Sequence, residues 1–529
     1  MPDTAQPLTL EDMPAFLPGG IADKVRFVAS VRPDHPAMMK DDQVITYGQF
    51  DTMVDRIAAS LQRDGVVYED TISICGKTSI EYGCVYFGAL RAGVGVAPLA
   101  PSSTAEQLVA MVEDSGAKIY FIDATIAADM GDYLKQVKCK IVTMDGSAHG
   151  QPLNDWLLPE GAKPEPVEIS PEAVFDIIYS SGTTGTPKGI VHPHTYRGSH
   201  NGGRAGMGGG GNNVSIMSTP LYSNTTLVSF LPALSSGSSV VLMEKFEVEK
   251  FLKLSEKYRV THAMLVPVQY RRIMEHPDFD KYDLSSFVMK FSTSAPFAAA
   301  IKADVLKRWP GGLIEFFGMT EGGGGTMLVC HEHPDKLHTV GKPQPGVDLR
   351  LIDEDGNVVP QGEIGEIVGH SAGMMKGYNN QPGKTADAWW YDETGKKFMR
   401  FGDVGRFDED GFLQLMDRKK DMIISGGFNI YPSDIEAIMM EKGDLLEVAV
   451  VGVESDRWGE TPVAYVTPKP GSNLTAEAIK EWTNTNPKIG KTQRLHDVQL
   501  VEALPRSAIG KVLKRELRDE YKAKFGVAG

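Results

Sequence analysis

The sequence is poor in cysteine, with only four in 529 residues. These are Cys75, Cys84, Cys139 and Cys330, and no two of them form a Cys-x-x-Cys pair. A chain of this length can bury a core without disulfides, and structural zinc sites usually draw on closely spaced ligand pairs. We therefore expect reduced thiols, a cytoplasmic location and no structural zinc site.

An excess of positive charge and a long apolar run are also missing. Lysine plus arginine number 54 against 69 aspartates plus glutamates, which gives a formal charge of −15. This balance argues against non-specific binding of nucleic acid, so an anionic substrate needs a local positive site. The longest apolar region, residues 84–99, is interrupted by Arg91 and several glycines, so we expect no membrane span. Residues 1–20 have no apolar core, so we expect no signal peptide.

A loop rich in hydroxyls and glycines follows the apolar run 174–178, which is typical of a short buried strand. Residues 179–189 read Tyr-Ser-Ser-Gly-Thr-Thr-Gly-Thr-Pro-Lys-Gly. The glycines let backbone N–H groups approach an anion, and Lys188 adds a positive charge, so the loop is suited to phosphate oxygens. It is not a Walker A loop, because Pro187 precedes the lysine and Gly189 follows it. A flexible surface linker is the alternative, but linkers seldom follow a buried strand and end in Pro-Lys-Gly.

The rest of the chain alternates predicted strands with predicted helices. Strands are predicted at 71–76, 94–99, 118–122 and 261–267, with helical patterns between them. This order is typical of an α/β fold with parallel sheets covered on both faces. Residues 340–416 are rich in turns and short strands, and residues 432–529 have the pattern of a compact α+β unit.

The phosphate loop resembles the signature of the adenylate-forming enzymes, which include acyl-CoA synthetases, adenylation domains of peptide synthetases and luciferases. Four further stretches are similar to that family, in its order: 315–321 (Glu-Phe-Phe-Gly-Met-Thr-Glu), 401–403 (Phe-Gly-Asp), 417–436 and 505–512. The resemblance covers residues 40–515. It implies a large N-terminal domain, 1–417, of two stacked αβ subdomains plus a β-rich subdomain. A small mobile α+β C-terminal domain, 418–529, would follow and turn about the hinge residue Lys420.

The resemblance also implies which residues bind the nucleotide. Those implied to bind ATP or AMP are Ser181, Gly182, Thr183, Thr184, Gly185, Ser294, Ala295, Pro296, Glu315, Phe316, Phe317, Gly318, Asp403 and Arg418. Phe317 would stack on adenine, where the family has tyrosine, and Asp403 would accept hydrogen bonds from the ribose hydroxyls.

A two-step reaction follows from the same resemblance. The carboxylate of a small acid attacks the α-phosphorus of ATP, giving an acyl-adenylate and pyrophosphate, and the thiol of coenzyme A then displaces AMP. Four residues would have catalytic roles: Lys188 on the departing pyrophosphate, Thr320 and Lys511 on the α-phosphate, and Glu321 on Mg²⁺. The hinge glycines Gly426 and Gly427 would line the path of the thiol. No nucleic-acid partner is expected, and the question of a homodimer stays open.

A set of polar residues and glycines is expected to form the acyl pocket. Its members are Tyr222, Ser223, Asn224, Thr293, Gly322 and Gly323. Ser223 stands where the family commonly has histidine. The run Gly322–Gly325 is expected to leave room for a bulky acid. With Tyr222, Asn224 and Phe316 nearby it predicts a short, roomy and partly polar pocket, which favours an aromatic acid such as ferulate over a long alkyl chain. In this respect the chain is similar to the feruloyl-CoA synthetases of bacterial aromatic catabolism.

Other functions stay open. Within the family these are a medium- or long-chain fatty-acyl-CoA synthetase, a carrier-protein loader and a luciferase-type oxidase. A non-catalytic nucleotide sensor is disfavoured because the reactive positions are filled. In another class, the sequence Gly-His-Ser-Ala-Gly at 369–373 matches the nucleophile elbow of α/β-hydrolases, with Ser371 as nucleophile. The only histidine after it is His496, beyond the predicted domain boundary.

Overall fold

The computed structural model describes residues 9–14, 17, 19–180, 188–201, 211–418, 420–426, 428–506 and 511–528. The chain divides into two compact units. Unit 1 comprises residues 1–337, 343–348 and 370–399, and unit 2 comprises 338–342, 349–369 and 400–529. The mixed α/β architecture, with a large amino-terminal part and a smaller carboxy-terminal part, confirms the predicted fold class. A boundary at residue 418 and rotation about Lys420 stay predictions.

The first part of unit 1 alternates strands and helices as the pattern predicts. Its elements are α1 Gly20–Val31, β1 Pro36–Lys40, β2 Gln43–Thr46, α2 Tyr47–Arg63, β3 Thr71–Cys75, α3 Ile80–Arg91, β4 Gly95–Pro98, α4 Ala105–Asp114, β5 Ile119–Ile122, α5 Ala124–Met130, β6 Lys140–Thr143, β7 Gln151–Pro152 and α6 Leu153–Trp156. Helix α2 begins where the Thr46 side chain accepts a hydrogen bond from the backbone N–H of Gln49, a capping box that satisfies a free donor.

The second part of unit 1 continues this alternation. Its elements are β8 Val174–Ser180, β9 Lys188–Pro193, α7 His194–Asn201, β10 Val214–Met217, α8 Asn224–Ser235, β11 Ser239–Leu242, α9 Val248–Lys257, β12 His262–Leu265, α10 Pro267–Met274, β13 Met289–Ser292, α11 Ala299–Arg308, β14 Gly312–Gly318 and β15 Gly325–Val329. Strand β13 begins at Met289, after a turn that the Phe287 N–H closes by donating to the Leu284 carbonyl at 3.1 Å.

The remaining elements complete unit 1 and form most of unit 2. They are β16 Lys342–Pro343, β17 Asp348–Ile352, β18 Gly365–His370, β19 Gly377–Tyr378, α12 Pro382–Asp387, β20 Trp389–Tyr391, β21 Lys397–Phe407, β22 Leu413–Arg418, β23 Ile423–Ser425, β24 Phe428–Ile430, α13 Pro432–Met440, β25 Leu445–Ser455, β26 Gly459–Pro468, α14 Ala476–Thr485, β27 Asp497–Leu500 and α15 Lys514–Phe525.

Unit 1 is built on two sheets with a shared core. One sheet has the strand order β19-β9-β8-β4-β3-β5-β6-β7, and the other runs β15-β14-β13-β12-β10-β11-β1-β2. Aromatic side chains of helices α2, α3 and α8 pack edge to face between them, with ring centroids 5.4 Å apart for Phe50 and Phe87 and 6.1 Å apart for Phe87 and Phe230. Helix α3 is buried along its whole length, as expected for a helix enclosed on all sides.

Unit 2 contains two smaller sheets. Strands β17, β18, β21 and β22 form one, and the other has the order β24-β23-β26-β25 with β27 parallel to β26. The long β25–β26 hairpin packs its two faces into separate apolar clusters, which include Ile435 on one side and Leu517 on the other. No helix among the residues described is long and apolar enough to cross a bilayer.

Candidate active site

Strands β8 and β9 hold the two ends of the phosphate loop. They pair antiparallel, with Ser180 opposite Lys188 and Tyr179 opposite Gly189. The predicted loop residues Ser181, Gly182, Thr183, Thr184 and Gly185 lie outside the described residues. At Gly189 a Cβ atom would lie 2.8 Å from the Ile177 side chain, so only glycine fits the packed strand pair at the foot of the loop.

Tyr378 joins two predicted catalytic residues that are far apart in sequence. The Lys188 ammonium lies 4.9 Å from the centroid of the Tyr378 ring, and the Tyr378 hydroxyl donates a 2.9 Å hydrogen bond to Glu321 Oε1. Burial and the Glu321 carboxylate raise the pKa of Tyr378, so its phenol stays a donor. Sequence reasoning missed Tyr378, because its proximity arises only when β19 pairs with β9.

The turn that carries Thr320 and Glu321 is fixed by the segment around Gly373. The backbone N–H of Met375 donates to the Glu321 carbonyl at 2.9 Å, and that of Gly323 donates to the Gly373 carbonyl at 3.0 Å. The Glu321 carboxylate is half-buried. The turn therefore holds this carboxylate beside Tyr378 through backbone pairing, which does not depend on side-chain identity.

The glycines after Glu321 are required by the close packing of the backbone and by its conformation. A Cβ atom on Gly322 would lie 2.2 Å from the Gly373 carbonyl oxygen, and one on Gly324 would lie 2.5 Å from the Val347 side chain. Gly322, Gly323 and Gly324 all have φ near +86° to +88°, which strongly favours glycine. The expectation that this run leaves room for a bulky acid is therefore wrong at Gly322 and Gly324, because other parts of the protein already fill the space.

Ser371 belongs to the same supporting segment and does not form a nucleophile elbow. It follows strand β18, but the next element is strand β19 and the next helix, α12, begins only at Pro382, whereas the elbow requires a strand, a tight turn and a helix in direct succession. Its hydroxyl donates to the Gly373 carbonyl at 3.1 Å, and His370 Nδ1 lies 2.7 Å from the Lys397 carbonyl. These contacts describe a local turn under Glu321, and they argue against the hydrolase.

Three predicted segments emerge at one edge of a parallel sheet. Strands β10, β12, β13 and β14 run parallel, and residues 222–224, 293–296 and 318–321 follow the carboxyl ends of β10, β13 and β14. Ligands of open α/β sheets bind outside such carboxyl ends. The fold thus brings Tyr222, Ser223, Asn224, Thr293, Ser294, Ala295, Pro296, Gly318 and Thr320 to the same edge.

Two aromatic residues predicted to belong to the site, Phe316 and Phe317, lie on opposite faces of strand β14. Phe316 packs on Phe291 with ring centroids 6.0 Å apart, in an apolar cluster that includes Val228 of α8. Side chains alternate along a strand, so Phe317 lies on the opposite face, which it shares with Glu315. The strand can therefore present Phe317 to one ligand group and Phe316 to another.

Glu315 is committed to an internal ion pair. Its carboxylate is 3% exposed and contacts the Lys302 ammonium, which also donates to the Leu337 carbonyl at 2.8 Å. Burial raises the pKa of Glu315 to about 7, although Lys302 favours its charged form. This side chain supports strand β14 beneath the site, and its predicted contact with the nucleotide stays a prediction.

Ser294 has a backbone conformation that residues other than glycine rarely adopt. Its φ is +81°, and the family resemblance places glycine near this position. Its hydroxyl lies 2.5 Å from the hydroxyl of Thr225, at the start of α8. This hydrogen bond links the predicted adenine segment to the predicted acyl pocket and opposes the strain.

The other predicted site residues lie in unit 2. Asp403 and Arg418 are cross-strand partners in β21 and β22, with Nε 3.5 Å from Oδ1. Lys420 is exposed in the following turn, and desolvation and neighbouring Arg418 lower its pKa.

The predicted thiol-path glycines and the C-terminal lysine follow in the same unit. Gly426 has φ +58° and its N–H donates to the Trp458 carbonyl at 2.8 Å, whereas Gly427 lies outside the described residues. Lys511 precedes α15, next to a β-bridge between Arg506 and Val512.

Comparisons with known proteins agree with this architecture. The model of the AMP-binding enzyme family matches residues 25–379, and that of the AMP-binding enzyme C-terminal domain matches residues 434–511. The chain is 30% identical over 502 residues to 4-coumarate–CoA ligase 2 of Nicotiana tabacum, which covers 91% of this chain and 90% of the relative. It is 28% identical over 485 residues to long-chain-fatty-acid–CoA ligase FadD13 of Mycobacterium tuberculosis, covering 91% of this chain and 94% of the relative.

Solved structures give the same result. The ATP-bound structure of MatB from Rhodopseudomonas palustris superposes with a TM-score of 0.85 at 27% identity, covering 96% of this chain and 100% of the other. The amide bond synthetase McbA of Marinactinospora thermotolerans gives a TM-score of 0.85 at 25% identity with the same coverage. The chain therefore belongs to the AMP-binding enzyme family and is an ATP-dependent, AMP-forming acyl-CoA synthetase.

Proposed function

We propose that this synthetase activates an aromatic acid of the hydroxycinnamate type, such as ferulate, and transfers it to coenzyme A. The observation that carries the proposal is the mixed surface at the sheet edge. Half-buried Phe316 packs there on the buried Phe291 beside Val228, Met264 and Met327, and Val228 lies about one helical turn after Asn224 at the polar start of α8. An aromatic ring that carries hydroxyl groups needs such a combination of apolar faces and a few polar contacts.

The polar side of this surface is held by hydrogen bonds within the protein. Arg197 donates a 2.7 Å hydrogen bond to the Asn224 amide oxygen, and Thr225 is fixed by Ser294. Burial raises the pKa of Tyr222 to about 12, so its hydroxyl is a neutral donor and acceptor. Fixed polar groups of this kind recognise a ring hydroxyl by hydrogen bonding, which discriminates more strongly than an apolar pocket does.

The same proposal assigns roles in the adenylation step. Lys188 holds the departing pyrophosphate, while Thr320 and Lys511 bind the oxygens of the α-phosphate. A carboxylate oxygen of the acid forms the new bond to phosphorus as the bond to pyrophosphate breaks. Such a reaction gains most from positioning and from fixed charges near the phosphoryl oxygens. Phe317 stacks on adenine, and Asp403 and Arg418 bind the ribose.

Magnesium fits the residues around Glu321. One carboxylate oxygen accepts the Tyr378 hydrogen bond, and the residue is half-buried. Within the described residues no group of three or more His, Cys, Asp or Glu side chains could hold a metal ion. A site with one carboxylate suits Mg²⁺, which is usually bound by one or two carboxylates together with substrate phosphates. When bound, the ion neutralises charge on those phosphates.

The second step is thioester formation. The thiol of coenzyme A attacks the acyl carbonyl, the bond to AMP breaks, and the thiol proton passes to solvent. We assign Gly426 and Gly427 to the path of the pantetheine chain, because glycines let a ligand run against the backbone. Lys420 is the hinge between the two half-reactions.

A panel of acids distinguishes the aromatic proposal from the fatty-acid alternative. Pyrophosphate release should be fastest with ferulate or 4-coumarate and at least tenfold slower with dodecanoate or hexadecanoate, since an extended alkyl chain cannot use the fixed polar groups. Coenzyme A should be required for steady release of AMP. The opposite order of acids would establish a fatty-acyl-CoA synthetase, and AMP release that does not respond to coenzyme A would exclude it as the acceptor.

A further inference from the structure

A buried, hydrogen-bonded pair of polar side chains connects the two strands that carry the phosphate loop. Asp176 on β8 and His192 on β9 are register partners, and both are 0% exposed. His192 Nδ1 lies 2.5 Å from Asp176 Oδ1. Asp176 also accepts a 3.0 Å hydrogen bond from the Tyr86 hydroxyl and a 2.9 Å bond from Arg197 Nε. Burial alone would raise the pKa of Asp176, but Arg197 and His192 outweigh it and hold the pKa at about 2.

The other side of the His192 ring reaches the turn before Glu321. Its Nε2 lies 2.7 Å from the carbonyl oxygen of Thr320, and the Tyr196 hydroxyl donates to the same oxygen at 3.0 Å. The His192 and Tyr196 rings stack with centroids 3.8 Å apart and an angle of 5° between their planes. Asp176 and the Thr320 carbonyl both accept hydrogen bonds, so each of these contacts uses an N–H of the ring.

Core packing alone does not explain this arrangement. Buried charges are costly, and an apolar residue of similar size would fill the space at less cost. An apolar residue could not hold a carbonyl group, however. The network links β8, β9 and helix α7 to one backbone atom between the two residues proposed to contact the α-phosphate and Mg²⁺. Thr320 lies 128 positions after His192 in the chain and Glu321 is the next residue, so no local turn could hold them there.

We propose that His192, held by Asp176, is a positioning residue for the adenylation step. It fixes the Thr320 carbonyl, so that the Thr320 hydroxyl and the Glu321 carboxylate keep a constant position relative to the strands of the phosphate loop. Tyr196 supplies a second, neutral donor to the same carbonyl. The inference rests on the roles proposed above for Thr320 and Glu321.

Two amide substitutions at His192 separate positioning from packing. In His192→Gln the amide nitrogen can take the place of Nε2 and still donate to Thr320. In His192→Asn it can take the place of Nδ1 and keep the bond to Asp176, but it cannot reach Thr320. Positioning therefore requires that His192→Gln keep most of its activity, whereas His192→Asn should lose about tenfold or more in the rate of pyrophosphate exchange.

The dependence of the exchange rate on MgCl₂ concentration is a second measurement, and a loss of packing alone would not change it. His192→Asn should raise the MgCl₂ concentration for half-maximal exchange several-fold, with the KM for the acid changed less than twofold. Thermal melting of each variant checks that it is folded. If His192→Asn is as active as His192→Gln, or more active, the inference is wrong. Activity would then depend on the buried contact of His192 with Asp176 and not on its contact with the Thr320 carbonyl.

Glu321→Gln distinguishes failure of the inference from failure of the proposed site. If Glu321→Gln leaves the MgCl₂ dependence unchanged, the role proposed for Glu321 is wrong, and the positioning role fails with it. If Glu321→Gln shifts the dependence but His192→Asn does not, only the positioning role is wrong.

Should neither His192 variant fold, Tyr196→Phe provides the test, since it removes one hydrogen-bond donor to the Thr320 carbonyl and keeps the aromatic ring. A shift of a few-fold in MgCl₂ supports the inference, and an unchanged dependence contradicts it.

Discussion

The Tyr378 hydroxyl donates a hydrogen bond of 2.9 Å to Glu321, a residue 57 positions earlier in the chain. The same tyrosine lies under the Lys188 ammonium, 4.9 Å from its ring centroid. Tyr378 is therefore the one described side chain that contacts both a predicted metal ligand and a predicted pyrophosphate ligand. Its side chain couples Lys188, the first residue of β9, directly to the Glu321 carboxylate.

Tyr378→Phe removes the hydroxyl and keeps the ring beneath Lys188. Hydrogen bonds to charged groups contribute about 1.5–3 kcal/mol, so we expect about a tenfold loss in the rate of pyrophosphate exchange at limiting MgCl₂. Saturating MgCl₂ should restore most of it. The matched control is Tyr391→Phe, because Tyr391 is 56% exposed and should change nothing. Equal rates for Tyr378→Phe and the control would exclude a role for this contact.

Lys511→Ala should divide the two half-reactions. Loss of a charge that binds the α-phosphate should lower adenylate formation by about a hundredfold or more, a size typical of one electrostatic contact to a transition state. Thioester formation from supplied acyl-AMP and coenzyme A should stay within about twofold. Lys491→Ala, in the same small unit, is the control and should leave both rates unchanged. Equal loss in both half-reactions would contradict the assignment.

Thr225→Val tests the strain at Ser294. The φ of +81° at Ser294 costs roughly 1–2 kcal/mol relative to glycine, and the hydrogen bond between the Ser294 and Thr225 hydroxyls offsets part of this cost. We expect Thr225→Val to lower the free energy of unfolding by about 1 kcal/mol in urea titrations. In a Ser294→Gly background the same change should cost much less, because the partner is already absent. A cost that is equal in both backgrounds would show that the hydroxyl pair is not coupled.

The buried imidazole of His262 should make the free energy of unfolding depend on pH. It is buried at 4% exposure beneath the site, stacked on Phe291, and burial lowers its pKa to about 4. The unfolded chain therefore takes up a proton that the folded chain excludes, so stability is lost as the pH falls from about 6.5 towards 4. The loss should reach roughly 3 kcal/mol.

His262→Asn should remove the share of the pH dependence that His262 contributes, as measured by urea titration at several pH values, while His194, whose pKa burial also lowers to about 4, keeps its own share. The exposed His149 offers the matched control, since His149→Asn should keep the wild-type profile. A profile for His262→Asn that matches the wild type would mean that the buried imidazole does not titrate as described.

Features of the fold and the site that depend on neighbouring residues in the sequence could be predicted, whereas those that depend on distant residues could not. The strand before the phosphate loop, the aromatic-Gly-Met-Thr-Glu turn and the order of strands and helices are short-range patterns, and the sequence predicts them well. Tyr378, Asp176 and His192 escaped prediction, because they meet their partners only through strand pairing and through a turn far along the chain. The glycines at 322 and 324 were recognised, but for the wrong reason, since the atoms that exclude a Cβ belong to residues 373 and 347.

Isotope transfer from the acid tests the central claim most directly. The carboxylate oxygen that attacks the α-phosphorus stays on phosphorus when the thiol takes the acyl group, so it must leave in AMP. With ferulate labelled with ¹⁸O in both carboxylate oxygens, mass spectrometry should find one ¹⁸O in each AMP and one in the thioester. Label in inorganic phosphate with ADP as the co-product, or AMP without label, would contradict an acyl-adenylate.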